Sequence, residues 1–278
     1  MGRVVLVGTP IGNDGDWSER ARATLTAATL VAAEDTRVAR ERLSRVGIRP
    51  ARLISFHEHN ARARAPELVS ELGDGTLALI SDAGMPLVSD PGYRLVTAAI
   101  TAGHTLDVIP GPSAPLAALA ASGLPTDRFL FAGFPPRTSG KRRAWLEGLA
   151  EEPGTWIAFE APHRIVATLE DAAAVLGERP ACLAISLTKQ WQRFRRGSLS
   201  ELHARLVADP EDVIGEMTLV VGGAPKRERS TLEPRVEELI DRLAAAEVPA
   251  STIRDIVAAT FDLPRRVVYQ RALGRDRG

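Results

Sequence analysis

"LALISDAGMPLVSDPG", residues 77 to 92, decides the reading of the fold. The apolar run Leu-Ala-Leu-Ile breaks into two acidic turns, Ser-Asp-Ala-Gly and Ser-Asp-Pro-Gly, around a single stretch of hydrophobic residues. A short apolar run bounded by turn residues reads as a strand buried on both faces, the kind found in parallel sheets. Gly84 lets backbone approach a ligand, while Pro86 and Pro91 restrict the bend and help start a helix over 91 to 102. The stretch is therefore one strand–loop–helix step of an α/β fold, with its loop at the strand's C-terminal end, where open α/β sheets build their sites. Asp82 reads as a ligand-loop residue, and Asp90, just ahead of Pro91, reads equally well as a helix N-cap.

The same rhythm extends in both directions. Strand-like runs at RVVLVG, TLVAAE, RLISF, TLALIS and TLDVIP alternate with helical patterns at 18 to 28, 36 to 46, 62 to 72 and 91 to 102, which predicts a mostly parallel sheet with helices on its faces. IPGPSAP, residues 109 to 115, then breaks the chain before the helical run SAPLAALAAS, with Ser113 placed to cap it. Beyond this hinge come RFLFAGF, a basic helix near 138 to 149, TWIAFE, a helix over 163 to 176, ACLAISL, a strand at 193 to 197, a helix over 198 to 207 and EMTLVVGG. Several of these strands can pair antiparallel, so a mixed sheet is expected. After residue 225 the pattern is helical, at 232 to 246, 250 to 259 and 264 to 273, with the outline of a helix-turn-helix. The predicted organisation is an α/β domain over 1–112, a second α/β domain over 113–224 and a helical tail over 225–278.

Composition narrows the class without naming a partner. The 278 residues, 45% hydrophobic, suffice for two α/β domains, and 35 basic residues balance 35 acidic ones, so any polyanion footprint must be local. Such clusters occur at Arg137, Lys141, Arg142 and Arg143, at Arg193, Arg195 and Arg196, and at Arg265 and Arg266; those beside Trp145, Trp191 and Phe194 fit RNA contact. Lysine occurs only at Lys141, Lys189 and Lys226. The single cysteine, Cys182, lies in an apolar run and reads as a small buried hydrophobe, which excludes a disulfide framework or a cysteine-rich metal site. No apolar run is long enough for a membrane span and the N-terminus lacks a signal-peptide pattern, so a cytoplasmic protein is expected.

Candidate chemistry gathers after the strands. GTPIGN, residues 8 to 13, bends where a dinucleotide fingerprint would, yet it is not G-x-G-x-x-G, and Pro10 removes an amide that would hold a pyrophosphate. AEDTR, residues 33 to 37, is either a site acid or a helix start capped by Asp35 or Thr36. In FHEHN, residues 56 to 60, an extended chain puts His57 and His59 on one face with Glu58 on the other; loop contacts are favoured over a metal site, and no metal is expected. FEAPHRI, residues 159 to 165, ends a strand at Glu160 and opens a Pro-started helix with His163 and Arg164. Lys189 in LTKQW is either a surface lysine or a site cation.

Taken in order, TPIGN, AEDTR, FHEHN, SDAGMPLVSDPG, IPGPSA, ALAASGLPTDRFLFAGFPPR, EAPHR, LTK and GEMTLVV closely resemble the ribosomal RNA small subunit methyltransferase I family, within the tetrapyrrole methylase superfamily. The resemblance covers residues 3 to 223. It implies two α/β domains of the tetrapyrrole methylase type with S-adenosylmethionine held in the cleft between them, 2′-O-methylation of a decoding-centre cytidine in 16S rRNA of the 30S subunit, and a homodimer. Carried over by position, the cofactor contacts fall on Pro10, Ile11, Ser81, Asp82, Gly84, Met85, Ser113, Ala114, Leu187 and Met217. Asp35, Glu58, Glu160 and His163 are the candidate proton acceptors for a ribose hydroxyl. Arg37, His57, His59, Asn60, Arg164 and Lys189 are expected on the substrate side. The chain departs from the family pattern at Gly8 and Met85, where Pro and Thr are usual, and at Ile185, Ser186 and Gln192, where Arg, Glu and Glu are usual. Two other readings remain: a methyltransferase of the same superfamily acting on a tetrapyrrole or other small molecule, and a non-catalytic RNA-binding assembly protein.

Overall fold

The computed structural model describes residues 1–225 and 232–274, so Lys226 lies outside the described residues. Residues Met1–Ala224 form one compact unit that contains two five-stranded sheets.

The first sheet is wholly parallel. Strands β1 (Arg3–Val7), β2 (Leu30–Ala33), β3 (Leu53–Ser55), β4 (Thr76–Ile80) and β5 (Thr105–Ile109) lie in the order β3-β2-β4-β1-β5. Period-two alternation sends Val5, Val7, Ala78 and Ile80 to one face, against Leu25 of α1 (Glu19–Ala27) and Leu43 of α2 (Thr36–Arg45). Val4, Leu77 and Leu79 go to the other, against Leu68 of α3 (Glu58–Leu72) and Leu95 of α4 (Tyr93–Thr101). With both faces covered, the strands need no polar side, which is why they read as apolar runs. The chain leaves β1 towards β2 on one side and reaches β5 on the other, and that reversal of strand order opens a crevice at the strands' C-terminal ends.

The second sheet is mixed, as its pattern predicts. Strands β6 (Phe129–Phe131), β7 (Thr155–Glu160), β8 (Pro180–Ile185), β9 (Arg193–Ser198) and β10 (Met217–Val221) take the order β6-β7-β10-β8-β9, with only β6 and β7 parallel. Helices α6 (Ser139–Glu147), α7 (Pro162–Leu176) and α8 (Leu199–Ala208) cover one face through Leu146, Ile165, Leu169 and Leu202. On the other face α5 (Ala114–Ser122) packs Ala118 and Leu119 on Ile157, Val220 and the buried Cys182. The hinge thus delivers α5 directly beneath the second sheet. The tail packs α9 (Pro234–Ala245), α10 (Ala250–Phe261) and α11 (Arg265–Leu273) around Ile240, Val257 and Val268.

Two local expectations are corrected. FHEHN is not extended: His57 is the N-cap of α3 and Glu58 and His59 stand in its first turn, because Asn60 accepts the His57 N–H at 2.9 Å and donates to Ser55 O at 3.2 Å. This cap starts the helix four residues before the predicted 62. Asp90 is not the cap of α4, since Gly92 holds that position with φ 149° and Asp90 lies two residues earlier in the loop.

Candidate active site

The loop after β1 and the loop after β4 are joined by a short antiparallel bridge. Thr9 N–H donates to Gly84 O at 2.9 Å and Gly84 N–H returns to Thr9 O at 3.1 Å. Gly84 sits at φ +80°, where a side chain is strained, and an added Cβ would lie 3.3 Å from Ile11. The Ser81 hydroxyl, buried, donates to Ala83 O at 3.2 Å and so braces the loop from behind. Two departures from the family pattern prove to be neighbours: a Cβ on Gly8 would lie 2.7 Å from the Met85 sulfur, so the bulkier thioether occupies space that the glycine leaves.

Above this floor a cavity of about 850 Å³ opens between the ends of the two sheets. The first sheet contributes Ile11, Gly84, Met85 and Asp90, the hinge contributes Ser113, Ala114 and Pro115, and the second sheet contributes Phe134, Arg137, Phe159, Glu160, His163, Arg164, Glu216 and Met217. Ser113 is the N-cap of α5, as expected, but its hydroxyl makes no capping bond and so is left for a ligand. A second depression, about 780 Å³ between α3 and α4, carries none of the candidate residues.

The cavity divides the candidate residues by position. Ile11, Gly84, Met85, Ser113, Ala114, Met217, Glu160, His163 and Arg164 line the cavity. Pro10, Ser81, Asp82 and Leu187 are outside its lining: Leu187 belongs to the apolar cluster against which Ile11 packs, and Asp82 accepts the Asp35 N–H at 3.3 Å while its carbonyl accepts the Arg42 guanidinium. Asp35, Arg37, His57, Glu58, His59 and Asn60 lie beyond the lining, at the ends of β2 and β3. Asp35 caps α2 and receives both the backbone N–H and the guanidinium of Arg37 at 2.8 Å, which hold its carboxyl down to about 2, too weak a base to take a proton efficiently. Lys189 pairs with Glu216 on the cavity's edge. Gln192 accepts the Thr188 N–H at 2.8 Å, an acceptor role its amide oxygen fills as a carboxylate would.

Glu160 is buried and fully engaged. It accepts Thr168 Oγ1 at 2.6 Å and Ala161 N–H at 2.8 Å, and it lies 3.3 Å from the Arg164 guanidinium. Arg164 in turn donates to Pro135 O at 2.6 Å and Pro136 O at 3.1 Å, tying the loop after β6 to the start of α7. The pair therefore shapes the cavity wall. Asp90, like Phe134, lines the cavity without having been singled out by the sequence as a site residue. Burial pushes its carboxyl up to about 6, the Ser81 hydroxyl opposes the shift, and the nearby Glu34 and Asp82 carboxylates add to it. A carboxylate so poised at a cavity is a credible proton acceptor near neutral pH.

Residues 3–203 match the family model of tetrapyrrole (corrin/porphyrin) methylases. The chain is 45% identical to a ribosomal RNA small subunit methyltransferase I from Micromonospora olivasterospora over 97% of its length and 86% of the relative's, and 48% identical to one from Mesorhizobium japonicum over 96% and 90%. Among solved structures it is similar to the methyltransferase CobJ, with TM-score 0.58 and 21% identity over 81% of this chain and 95% of that one. It is also similar to uroporphyrin-III-C-methyltransferase from Thermus thermophilus, with TM-score 0.54 and 23% identity over 80% and 94%. At these identities the two structures bear on the fold alone.

Proposed function

The chain belongs to the tetrapyrrole methylase family and to its ribosomal RNA small subunit methyltransferase I branch, and from that premise we propose that it 2′-O-methylates a decoding-centre cytidine of 16S rRNA in the 30S subunit, with S-adenosylmethionine as donor. The observation that carries the reading is the single cavity in which a backbone-lined floor, a poised carboxylate and an aromatic, cationic wall meet.

The residues present fit the donor. Ile11, Met85, Pro115 and Met217 offer apolar and thioether surface, the uncommitted Ser113 hydroxyl offers a polar contact, and Asp90 and Glu216 suit a cationic ligand. When bound, the cofactor supplies a methyl group already activated by its sulfonium. The protein's task is then to align a ribose oxygen and to accept its proton. We assign the proton to the Asp90 carboxylate, with His163 the second candidate, since Glu160 and Glu216 are paired with Arg164 and Lys189. Pro10, Ser81, Asp82 and Leu187 support the floor from outside the lining, and Lys189 acts through Glu216. Arg37, His57, His59 and Asn60, beside the crevice, serve the surrounding RNA. The exposed edge strand β5, with Leu106 and Val108 at 38% and 45% exposure, supports a homodimer formed on that edge. No helix among the described residues is long and apolar enough to cross a membrane, and we take the site of action to be the cytoplasm, where 30S subunits are.

Tritiated methyl transfer to unmodified 30S subunits, followed by mapping of 2′-O-methylation in 16S rRNA, tests the reading. One labelled decoding-centre cytidine is expected. Label on a tetrapyrrole but not on 30S subunits, or no transfer at all, would overturn it.

A further inference from the structure

Among the candidate clusters, the basic run at 137 to 143 separates most sharply once its partners are known. Arg142 and Arg143 are both bound to the buried Asp171, at 2.8 Å and 2.6 Å from their Nε atoms, and Ser139 donates to the same carboxylate at 3.0 Å. These two cations hold α6 to α7 and are not free for a ligand. Arg137 is different: it lines the cavity, and its guanidinium has no partner among the described residues.

Beside it stands Phe134, 58% exposed and lining the same cavity. Its ring is braced by Phe159 at 5.4 Å between centroids, and Phe159 packs edge-on to Phe131 at 5.0 Å. The loop presenting Phe134 is rigid for three separate reasons. Phe159 N–H donates to Gly133 O at 2.9 Å, Arg164 clamps the carbonyls of Pro135 and Pro136, and the two prolines fix the backbone in between. An aromatic face braced on one side by Phe159 and open on the other, with a guanidinium that no described residue engages, is a preorganised pair.

We propose that Phe134 and Arg137 form the seat of the acceptor nucleotide, the unstacked base lying on the Phe134 ring and a phosphate of the same strand meeting Arg137. This rests on the rRNA reading above and adds the residues that recognise the acceptor. S-adenosylmethionine also offers an aromatic base and one anion, its carboxylate, but its sulfonium and ammonium are repelled by a guanidinium and it has no phosphate. The acceptor strand presents a phosphate beside every base, so cofactor affinity is the readout that separates the two occupants. A single-stranded nucleotide carries both groups that the pair matches. The exposed position of both side chains means that substitution removes contacts without opening the core.

The test measures methyl transfer to unmodified 30S subunits alongside S-adenosylmethionine affinity by calorimetry, for Phe134→Ala, Phe134→Tyr and Arg137→Gln. Phe134→Ala is expected to lower kcat/KM for 30S subunits about 10- to 100-fold, the loss typical of one base–aromatic stack. Phe134→Tyr should retain activity, and cofactor affinity should stay within about twofold in all three. Arg137→Gln should raise KM for 30S subunits and reduce the salt dependence of KM by about one unit of slope. If Phe134→Ala weakens cofactor binding as much as it weakens transfer, the shelf belongs to the cofactor's adenine and the proposal fails. Unchanged transfer by active variants refutes the seat while leaving the rRNA reading intact; a wild-type protein that does not label 30S subunits removes both.

Discussion

Replacing Asp90 with asparagine should make the protein more stable and nearly inactive, and the size of the first effect follows from the loop. The carboxyl's pKa rises from 3.8 to about 6 on folding, chiefly through burial. Two units correspond to about 3 kcal/mol at ~1.4 kcal/mol per unit, and partial exposure screens this to about 1–2 kcal/mol. The sign is set by proton binding. The folded state holds the Asp90 proton more tightly than the unfolded chain, so stability falls as pH rises from about 4 to about 6, and the full penalty is present above that. Asparagine carries no charge to desolvate. Thermal melts of Asp90→Asn should therefore lie above wild type by about 2–8 °C at pH 8 and converge with it near pH 4. Methyl transfer to 30S subunits should fall by about 10²–10⁴-fold through loss of the proton acceptor, and the wild-type rate should decline as pH drops through about 6. An Asp90→Asn variant that melts lower at pH 8, or that retains activity, refutes the reasoning.

Other expectations follow from the same geometry. Asp171→Asn leaves Arg142 buried without its counter-ion, so urea unfolding should show a loss of about 3–5 kcal/mol. Although burial opposes it, hydrogen bonds from Arg143, Ser139 and Arg142 hold the Asp171 carboxyl below its usual value. That stabilisation is present above the unfolded pKa and is lost as pH falls through the folded one, so the variant's deficit should shrink in acid melts. Deleting residues 226–278 should leave cofactor affinity unchanged by calorimetry, since the residues that line the cavity all belong to the unit Met1–Ala224, yet lower methylation of 30S subunits; undiminished methylation would remove the tail from substrate recognition.

What could be read from the chain was whatever local physics dictates. The strands of the first sheet are buried on both faces, so their apolar runs stand out, and the second sheet's mixed pairing includes the hairpin β8–β9, whose connection is too short for a helix. His57 was misread because period-two reasoning assumes an extended chain, while the Asn60 cap makes those residues helical. The arginines of 137 to 143 look alike in sequence. Only the fold, by bringing Asp171 to them from 28 and 29 residues away, divides structural cations from a free one. Phe134 and Asp90 escaped for the same reason: an exposed ring and a second loop acid gain meaning only from a cavity that six separate segments assemble.

The loop between β4 and α4 also shows why so many turn residues are concentrated there. Besides Gly84, Leu87 and Ser89 adopt left-handed φ of 72° and 63°, a conformation that costs roughly 1–3 kcal/mol for each non-glycine residue. In the loop after β8, Ser186 and the β-branched Thr188 do the same at 51° and 62°. Loops left to themselves relax such strain. Here the Thr9–Gly84 bridge, the Ser81 brace and the Arg42 contact to the Asp82 carbonyl hold one side, and Gln192 holds the Thr188 amide on the other. A strained loop that two rigid sheets keep in place delivers Asp90 to the cavity in a partly buried setting that an unstrained turn would leave to solvent. The raised Asp90 pKa and the left-handed Leu87 and Ser89 are thus two results of one construction, and relaxing the loop should lower the first along with the second.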